Sequence, residues 1–202
     1  MSSKRLLPTQ TTLEMLSPSS IAAYATRYAL RVQPFLCLCK ETSNPYKQFV
    51  LDIHDSLNAI ISGPEAESAS LNADELLSYA LQIPEDEVTP KTKTAAISSA
   101  HAFKSTAYIA NDFLTEGFDS AVKAIENANL IICEMNCPMA PALIDFEFLK
   151  ELRHGDPINY FFDCGDSGPL GELWHGNTPD WFLDAQKIYA KNIALWKKEV
   201  LQ

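Results

Sequence analysis

The sequence predicts an all-α protein, a single-domain bundle of about seven helices with a long irregular C-terminal loop. Apolar residues recur at intervals of three and four between the prolines, glycines and asparagines that mark helix ends. No stretch alternates apolar and polar residues for long enough to indicate a sheet. A chain of 202 residues, 47% of them apolar, is long enough to build one hydrophobic core.

Capping residues and helix breakers delimit the predicted helices. Their spans are 17–39, 44–62, 72–83, 89–116, 119–136, 141–154 and from 178 onward. Pro34 lies inside the first helix and is expected to kink it, because proline has no backbone N–H to donate. The segment 64–70 is expected to be a linker, and Gly117 is expected to end the fourth helix.

Three further expectations concern packing. The fourth helix, rich in alanine and serine, is predicted to be the central helix because small side chains let neighbouring helices approach closely. The last helix is predicted to bury one face, formed by Trp181, Ala185, Ile188, Leu195 and Trp196. Residues 1–16 are interpreted as a mobile N-terminal arm that precedes a single helical domain over 17–202.

The net charge of the chain and its distribution limit the classes of partner that it is expected to bind. The net charge is −10, with −3 on residues 1–100 and −7 on residues 101–202. No cluster of lysine and arginine is present to bind a phosphate backbone, so nucleic acid is excluded as a partner. No apolar run approaches the roughly 18 residues of a membrane span. A basic protein partner or a cation remains, and the oligomeric state stays open.

The cysteines and the Asp52–His54–Asp55 group are the residues whose types could bind a metal. The five cysteines are an odd number without an export signal, which favours reduced thiols in the cytoplasm. Cys37 and Cys39 would point to different helix faces, so a four-thiolate site with Cys133 and Cys137 is not favoured over buried thiols. The Asp52 group is interpreted as a solvated helix face. No metal and no cofactor is predicted.

His101, on the alanine-rich helix, is interpreted as a hydrogen-bonded core residue. A role in proton transfer or ligand binding is the alternative, because imidazole titrates near neutrality.

The irregular segment 156–181 concentrates glycine, proline and tryptophan. Cys164 lies close in sequence to Asp163, Asp166 and His175, but acidic neighbours raise a thiol pKa, which argues against a cysteine hydrolase. The segment is expected to close the bundle as a packed lid, with a ligand- or partner-binding loop as the alternative. The candidate binding residues are His101, Asp163, Asp166, Glu172, Trp174 and His175.

Two segments of the sequence resemble known groups of proteins. Gly168-Pro-Leu-Gly-Glu-Leu-Trp174 followed by Pro179-Asp-Trp181 resembles the C-terminal ending of a group of uncharacterised bacterial proteins. The apolar spacing from Arg27 to Gly63 and the helix around His101 resemble small helical immunity-type proteins of bacterial toxin systems. The first resemblance implies a bacterial origin and no particular chemistry.

The sequence therefore favours a non-enzymatic acidic interaction protein, of immunity or regulatory type, that engages its partner with its acidic C-terminal third. The alternative is a small-molecule or cation site beneath the 156–181 loop, with an enzymatic role for His101, His175 and nearby carboxylates. A purely structural subunit is a third interpretation.

Overall fold

The computed structural model describes residues 8–39, 42–58, 66–152, 164–165 and 170–200. Within these ranges the chain forms eight α-helices and one 3-10 helix, and no strand. The helices are α1 Gln10–Leu13, α2 Pro18–Val32, α3 Asn44–Asn58, α4 Ala66–Gln82, α5 Pro90–Ala110, α6 Leu114–Glu134, α7 Ala140–Glu151 and α8 Asp180–Val200; the 3-10 helix is Gln33–Cys37. The all-α, single-domain prediction is confirmed. Seven of these α-helices correspond to the seven predicted ones. The additional helix, α1, is not predicted from the sequence.

The helix α2 runs through the interior. Ser17 caps it by accepting a hydrogen bond from the backbone N–H of Ser20, and Pro18 occupies the first turn, where no backbone donor is needed. Every residue from Ser19 to Val32 is buried. The α-helix ends at Val32 and a 3-10 helix begins at Gln33, one residue before Pro34, so a change of helix type stands where a kink was predicted.

The helix α5 lies at the centre, as its small residues predict. It packs against α6, α4, α2, the 3-10 helix and α3. Ser98 donates a hydrogen bond from Oγ to the carbonyl oxygen of Ala124 on α6, at 2.8 Å. Close approach of this kind needs small side chains at the contact.

Several predicted boundaries are wrong. Residues 66–70 belong to α4, so the predicted linker is partly helical and Asn72 is not a helix start. The predicted helix 89–116 ends at Ala110, and Gly117 lies inside α6. A Cβ at Gly117 would lie 2.6 Å from Cγ1 of Ile109, so this glycine serves the contact between α5 and α6 and does not end a helix. Gly63 and Gly155 lie outside the described residues.

The buried face of α8 is rotated from the predicted one. Its buried residues are Phe182, Ala185, Tyr189, Ile193 and Trp196. Ile188 and Leu195 are exposed instead, and Trp181 is half-buried. The spacing of three and four continues through 182, 185, 189, 193 and 196, and polar residues occupy most of the opposite side.

The N-terminal residues 8–16 pack on the bundle. Leu13 and Leu16 are buried in the same core as α2. Residues 1–7 of the predicted arm lie outside the described residues.

Candidate functional site

Two arginines on α2 hold the C-terminal loop. Arg27 donates from Nη1 to the carbonyl oxygens of Cys164 (3.1 Å) and Gly171 (2.7 Å), and from Nη2 to that of Glu172 (2.9 Å). Arg31 donates from Nε and Nη2 to the carbonyl oxygen of Leu173, at 3.2 and 2.8 Å. Four carbonyl oxygens of the described loop residues are therefore hydrogen-bonded by side chains of α2.

Asp145 on α7 is the counter-charge for both arginines. Its carboxylate accepts two hydrogen bonds from Arg27, each 3.1 Å, and one of 2.5 Å from Nη2 of Arg31. All three side chains are essentially inaccessible to solvent. Nε2 of His175 lies 2.7 Å from Oδ1 of the same carboxylate. Two guanidinium groups thus share one carboxylate in the interior.

Sequence reasoning missed this cluster. Arg27 and Arg31 are four residues apart, so they project from the same face of α2. The available indication was a pair of arginines in a helix whose other residues are almost all apolar or small. The partner carboxylate is more than a hundred residues away in the chain and has no local marker.

Residues 170–179 of the loop pack on the bundle. Leu170, Leu173 and Trp174 are buried, and Trp174 makes edge-on contacts with the rings of Phe182 and Trp181. The Glu172 carboxylate accepts hydrogen bonds from the backbone N–H of Gly176 and from Oγ1 of Thr178, each 3.1 Å. These contacts are those of a packed lid over residues 170–179.

The predicted site residues fall into three groups. Glu172, Trp174 and His175 lie together on the loop. Asp163 and Asp166 lie outside the described residues. His101 lies on α5, where its charged neighbours are Lys123 and Lys104, and none of the hydrogen bonds between described residues joins it to the loop.

His101 is buried, as interpreted, but its Nδ1 has no hydrogen-bond partner among the described residues, so the interpretation as a hydrogen-bonded residue is not supported at this atom. Burial lowers its pKa to about 4, and Lys123 and Lys104 act in the same direction. The imidazole is therefore neutral at pH 7.

A pocket of about 310 Å³ opens where the loop meets α3 and α8. Its described lining residues are Leu30, Gln33, His54, Gly165, Glu172, Leu173, Trp174, Thr178, Phe182, Leu183, Gln186 and Tyr189. Nδ1 of His54 lies 2.9 Å from the hydroxyl oxygen of Tyr189. Burial lowers the pKa of His54, helped by Lys197, and burial raises the pKa of Tyr189. Neither His101 nor His175 is among the described lining residues.

A second concavity, with a volume of about 380 Å³, lies between residues 10–21 and the place where α5 meets α6; we call it the α5–α6 groove. Its described lining residues are Gln10, Glu14, Leu16, Pro18, Ile21, Ile109, Leu114, Thr115, Phe118 and Asp119. This lining contains two carboxylates and no lysine or arginine. Asp112, Phe113 and Glu116 are exposed on the turn and first helical residues beside it.

The thiols and carboxylates of the described residues form no group of three or more possible metal ligands. All five cysteines are free thiols. Burial raises the pKa values of Cys37, Cys39 and Cys137. Such thiols are poor nucleophiles at neutral pH.

The chain matches no protein-family model, no curated protein and no solved structure. Within the described residues, no helix has both the length and the apolar character needed to cross a membrane.

Proposed function

We propose that this protein is a non-enzymatic interaction protein that binds a basic partner protein in the α5–α6 groove. The observation that supports the proposal is an apolar groove whose only charged lining residues, among those described, are carboxylates. A partner segment with lysine or arginine beside an apolar side chain complements both properties.

The carboxylates around the groove are available to a partner. Glu14, Asp112, Glu116 and Asp119 are exposed, and none forms an ion pair with a described residue. Asp112, Glu116 and Asp119 belong to residues 101–202, whose net charge is −7. A field of this sign increases the rate at which a basic partner associates.

Apolar anchors lie beside these charges. Phe113 is 50% exposed and Leu114 is 48% exposed, on the turn and the first residue of α6. Aromatic and large aliphatic side chains that become buried on association contribute most of the affinity of typical interfaces.

The turn between α5 and α6, residues 111–113, is held by local contacts and is therefore pre-organised for binding. Asp112, two residues after the end of α5, has a φ of 62°, and the N–H of Phe113 donates to the carbonyl oxygen of Tyr108 at 2.9 Å. Gly117 allows α6 to approach Ile109 closely. A rigid surface loses less conformational entropy on binding than a mobile one.

The positions of the histidines support a non-enzymatic protein over the enzymatic alternative. That alternative required His101 and His175 in one pocket with a carboxylate. His175 is bound to Asp145, whereas His101 is buried on α5 near Lys104 and Lys123. An immunity or regulatory role in a bacterial cytoplasm is the most concrete version of the proposal.

The test is capture of a partner from a bacterial lysate, with the captured protein identified by mass spectrometry. The groove variant neutralises its rim with Glu14→Gln, Asp112→Asn, Glu116→Gln and Asp119→Asn. The matched control neutralises four exposed acids elsewhere: Glu75→Gln, Glu85→Gln, Asp86→Asn and Glu126→Gln. A third variant neutralises Asp163, Asp166 and Glu172.

We expect a basic protein to be captured by the wild type and the control, and lost from the groove variant. Loss from the third variant alone would move the interface to the C-terminal loop. Equal capture by all four proteins, or capture of a partner without a basic surface, would overturn the proposal. Thermal unfolding of each variant shows whether its fold is intact.

A further inference from the structure

The last turn of α6 and the residues after it bring two thiols together, those of Cys133 and Cys137. The N–H of Asn136 donates to the carbonyl oxygen of Cys133 at 3.1 Å, and the N–H of Cys137 donates to that of Ile132 at 3.0 Å. Asn136 has a φ of 51°, the left-handed conformation that often follows a helix. Because these two bonds fold the chain back over the end of α6, Cys137 lies against the last helical turn, which carries Cys133.

The two sulfur atoms are near enough to influence each other. Burial raises the pKa of the Cys137 thiol, the indole of Trp181 lowers it, and the charge of the Cys133 thiolate raises it again. Residues four apart on a helix surface have Cβ atoms about 5–6 Å apart, whereas a disulfide requires about 3.5–4.5 Å. Closure therefore needs a displacement of about 1–2 Å, which is small for a residue just beyond a helix end.

The two cysteines differ in exposure in the way that stepwise thiol–disulfide exchange requires. Cys133 is exposed, so a disulfide in solution can reach it directly. Cys137 is half-buried, so the disulfide that it meets most readily is one formed on Cys133. The alternative pair is at a disadvantage, because Cys37 is buried and Cys39 is half-buried. Burial also raises the pKa of both these thiols, which lowers the fraction present as the reactive thiolate.

The turn is connected to two other helices. Lys91 on α5 forms an ion pair of 2.9 Å with Glu134, and its Nζ lies 3.4 Å from Sδ of Met135. Glu134 and Met135 lie between the two cysteines in the sequence. On the other side, Cys137 is a neighbour of Trp181, which lies in the first turn of α8. A displacement of Cys137 toward α6 therefore changes the surroundings of Trp181.

We propose that Cys133 and Cys137 form a reversible disulfide by exchange with a small disulfide such as oxidised glutathione, and that this bond draws Cys137 away from Trp181. The Cys133 thiolate attacks one sulfur of oxidised glutathione, whose S–S bond breaks, and the released glutathione thiolate takes up the proton that Cys133 lost. The Cys137 thiolate then attacks the Cys133 sulfur of the mixed disulfide and releases a second glutathione, which is protonated in the same way. Two protein thiols are thus oxidised by two electrons, and one oxidised glutathione is reduced to two molecules of glutathione.

The bond is expected to form only when the oxidant accumulates. A disulfide that closes after a displacement of its cysteines is strained, and strained disulfides are reduced more easily than structural ones. The dithiol therefore predominates while reduced glutathione is in excess. The two cysteines are not among the described lining residues of the α5–α6 groove, so this proposal and the partner-binding proposal can fail separately.

The test is incubation of the full chain at fixed ratios of reduced to oxidised glutathione, followed by alkylation of the remaining thiols and peptide mapping by mass spectrometry. The tryptic peptide 124–150 contains both cysteines, so their disulfide appears as an unalkylated peptide that lacks two hydrogens. Tryptophan fluorescence of the same samples reports the surroundings of Trp181. Cys133→Ser and Cys137→Ser each remove one thiol, and Cys39→Ser, at another half-buried cysteine, is the matched control.

We expect the wild type and Cys39→Ser to form the disulfide within peptide 124–150 as the proportion of oxidised glutathione rises, with a change in tryptophan fluorescence. Restoring reduced glutathione should reverse both changes. Cys137→Ser should stop at a mixed disulfide of glutathione on Cys133, without the fluorescence change. Cys133→Ser should acquire glutathione on Cys137 at least about tenfold more slowly than Cys137→Ser acquires it on Cys133.

Five results would overturn the proposal. They are absence of the disulfide in excess oxidised glutathione, a mixed disulfide that persists on Cys133 of the wild type, and a disulfide from either cysteine to a third one. Disulfide formation without a fluorescence change, or equal rates of glutathione addition to the two serine variants, would also contradict it.

Discussion

Arg27 and Asp145 form a bidentate ion pair, with both contacts at 3.1 Å, that joins α2 to α7 in the interior. The same guanidinium binds three carbonyl oxygens of the C-terminal segment. One side chain thus sets the position of a helix and of a loop. The pocket wall formed by Leu173 and Trp174 depends on this arrangement.

Asp145→Asn should be strongly destabilising. The substitution keeps the shape of the side chain but leaves Arg27 and Arg31 buried without a counter-charge. Removal of one partner from a buried ion pair costs about 3–5 kcal/mol in unfolding free energy. Urea unfolding at pH 7 measures the change, with the exposed Asp180→Asn as the control. A loss below about 1 kcal/mol would mean that solvent reaches the arginines.

Acidification should destabilise the fold through His101. Its pKa is lowered to about 4 in the folded protein, against about 6.5 in an unfolded chain. The unfolded state therefore binds more protons between these values, so this contribution is complete above pH 6.5 and is lost as the pH falls toward 4. The expected loss is about 2–3 kcal/mol between pH 7 and pH 4.5.

The comparison of wild type with His101→Leu isolates this effect, because the carboxylates titrate in both proteins. Urea unfolding at pH 7, 5.5 and 4.5 should give a smaller pH-dependent loss for the variant. His54, whose pKa is also lowered, leaves a residual dependence in both. Parallel curves for the two proteins would contradict the assignment.

Gly117→Ala should destabilise the corner between α5 and α6. The added methyl group would lie 2.6 Å from Cγ1 and 3.2 Å from the backbone nitrogen of Ile109, so this side chain or one of the two helices must shift. Overpacking of this kind costs about 1–3 kcal/mol, more than the gain in helix propensity from alanine. Thermal unfolding should show the loss, and Ile109→Ala combined with Gly117→Ala should cost less than the sum of the single changes. Additive effects would show that the two residues do not compete for space.

The helical content could be predicted because each helix carries its own local pattern. Thr89–Pro90 and Ser17–Pro18 are capping sequences whose effect does not depend on the rest of the chain, and both begin helices in the structure. The apolar spacing gave the right elements but not the exact face of α8, where Ile188 and Leu195 are exposed. Periodicity alone does not distinguish stripes that differ by one residue.

The interior charge cluster and both concavities could not be predicted. Arg27 and Asp145 meet only because α2 and α7 pack side by side, and no local pattern specifies that pairing. Gly117 shows the same limitation, because a glycine that permits a helix contact has the same sequence appearance as one that ends a helix. The loop that carries Glu172, Trp174 and His175 could be located because an aromatic and glycine-rich loop is recognisable in an otherwise helical sequence; a binding role for these residues stays a prediction.

The proposal that the α5–α6 groove binds a basic partner is tested most directly by photo-crosslinking. A benzophenone amino acid replaces Phe113 beside the groove, and in a second protein it replaces Leu130, which is 65% exposed elsewhere on α6. After irradiation in a bacterial lysate, we expect an adduct at position 113 whose crosslinked peptide is rich in lysine or arginine, and none at position 130. No adduct at 113, or the same adducts at both positions, would contradict the proposal.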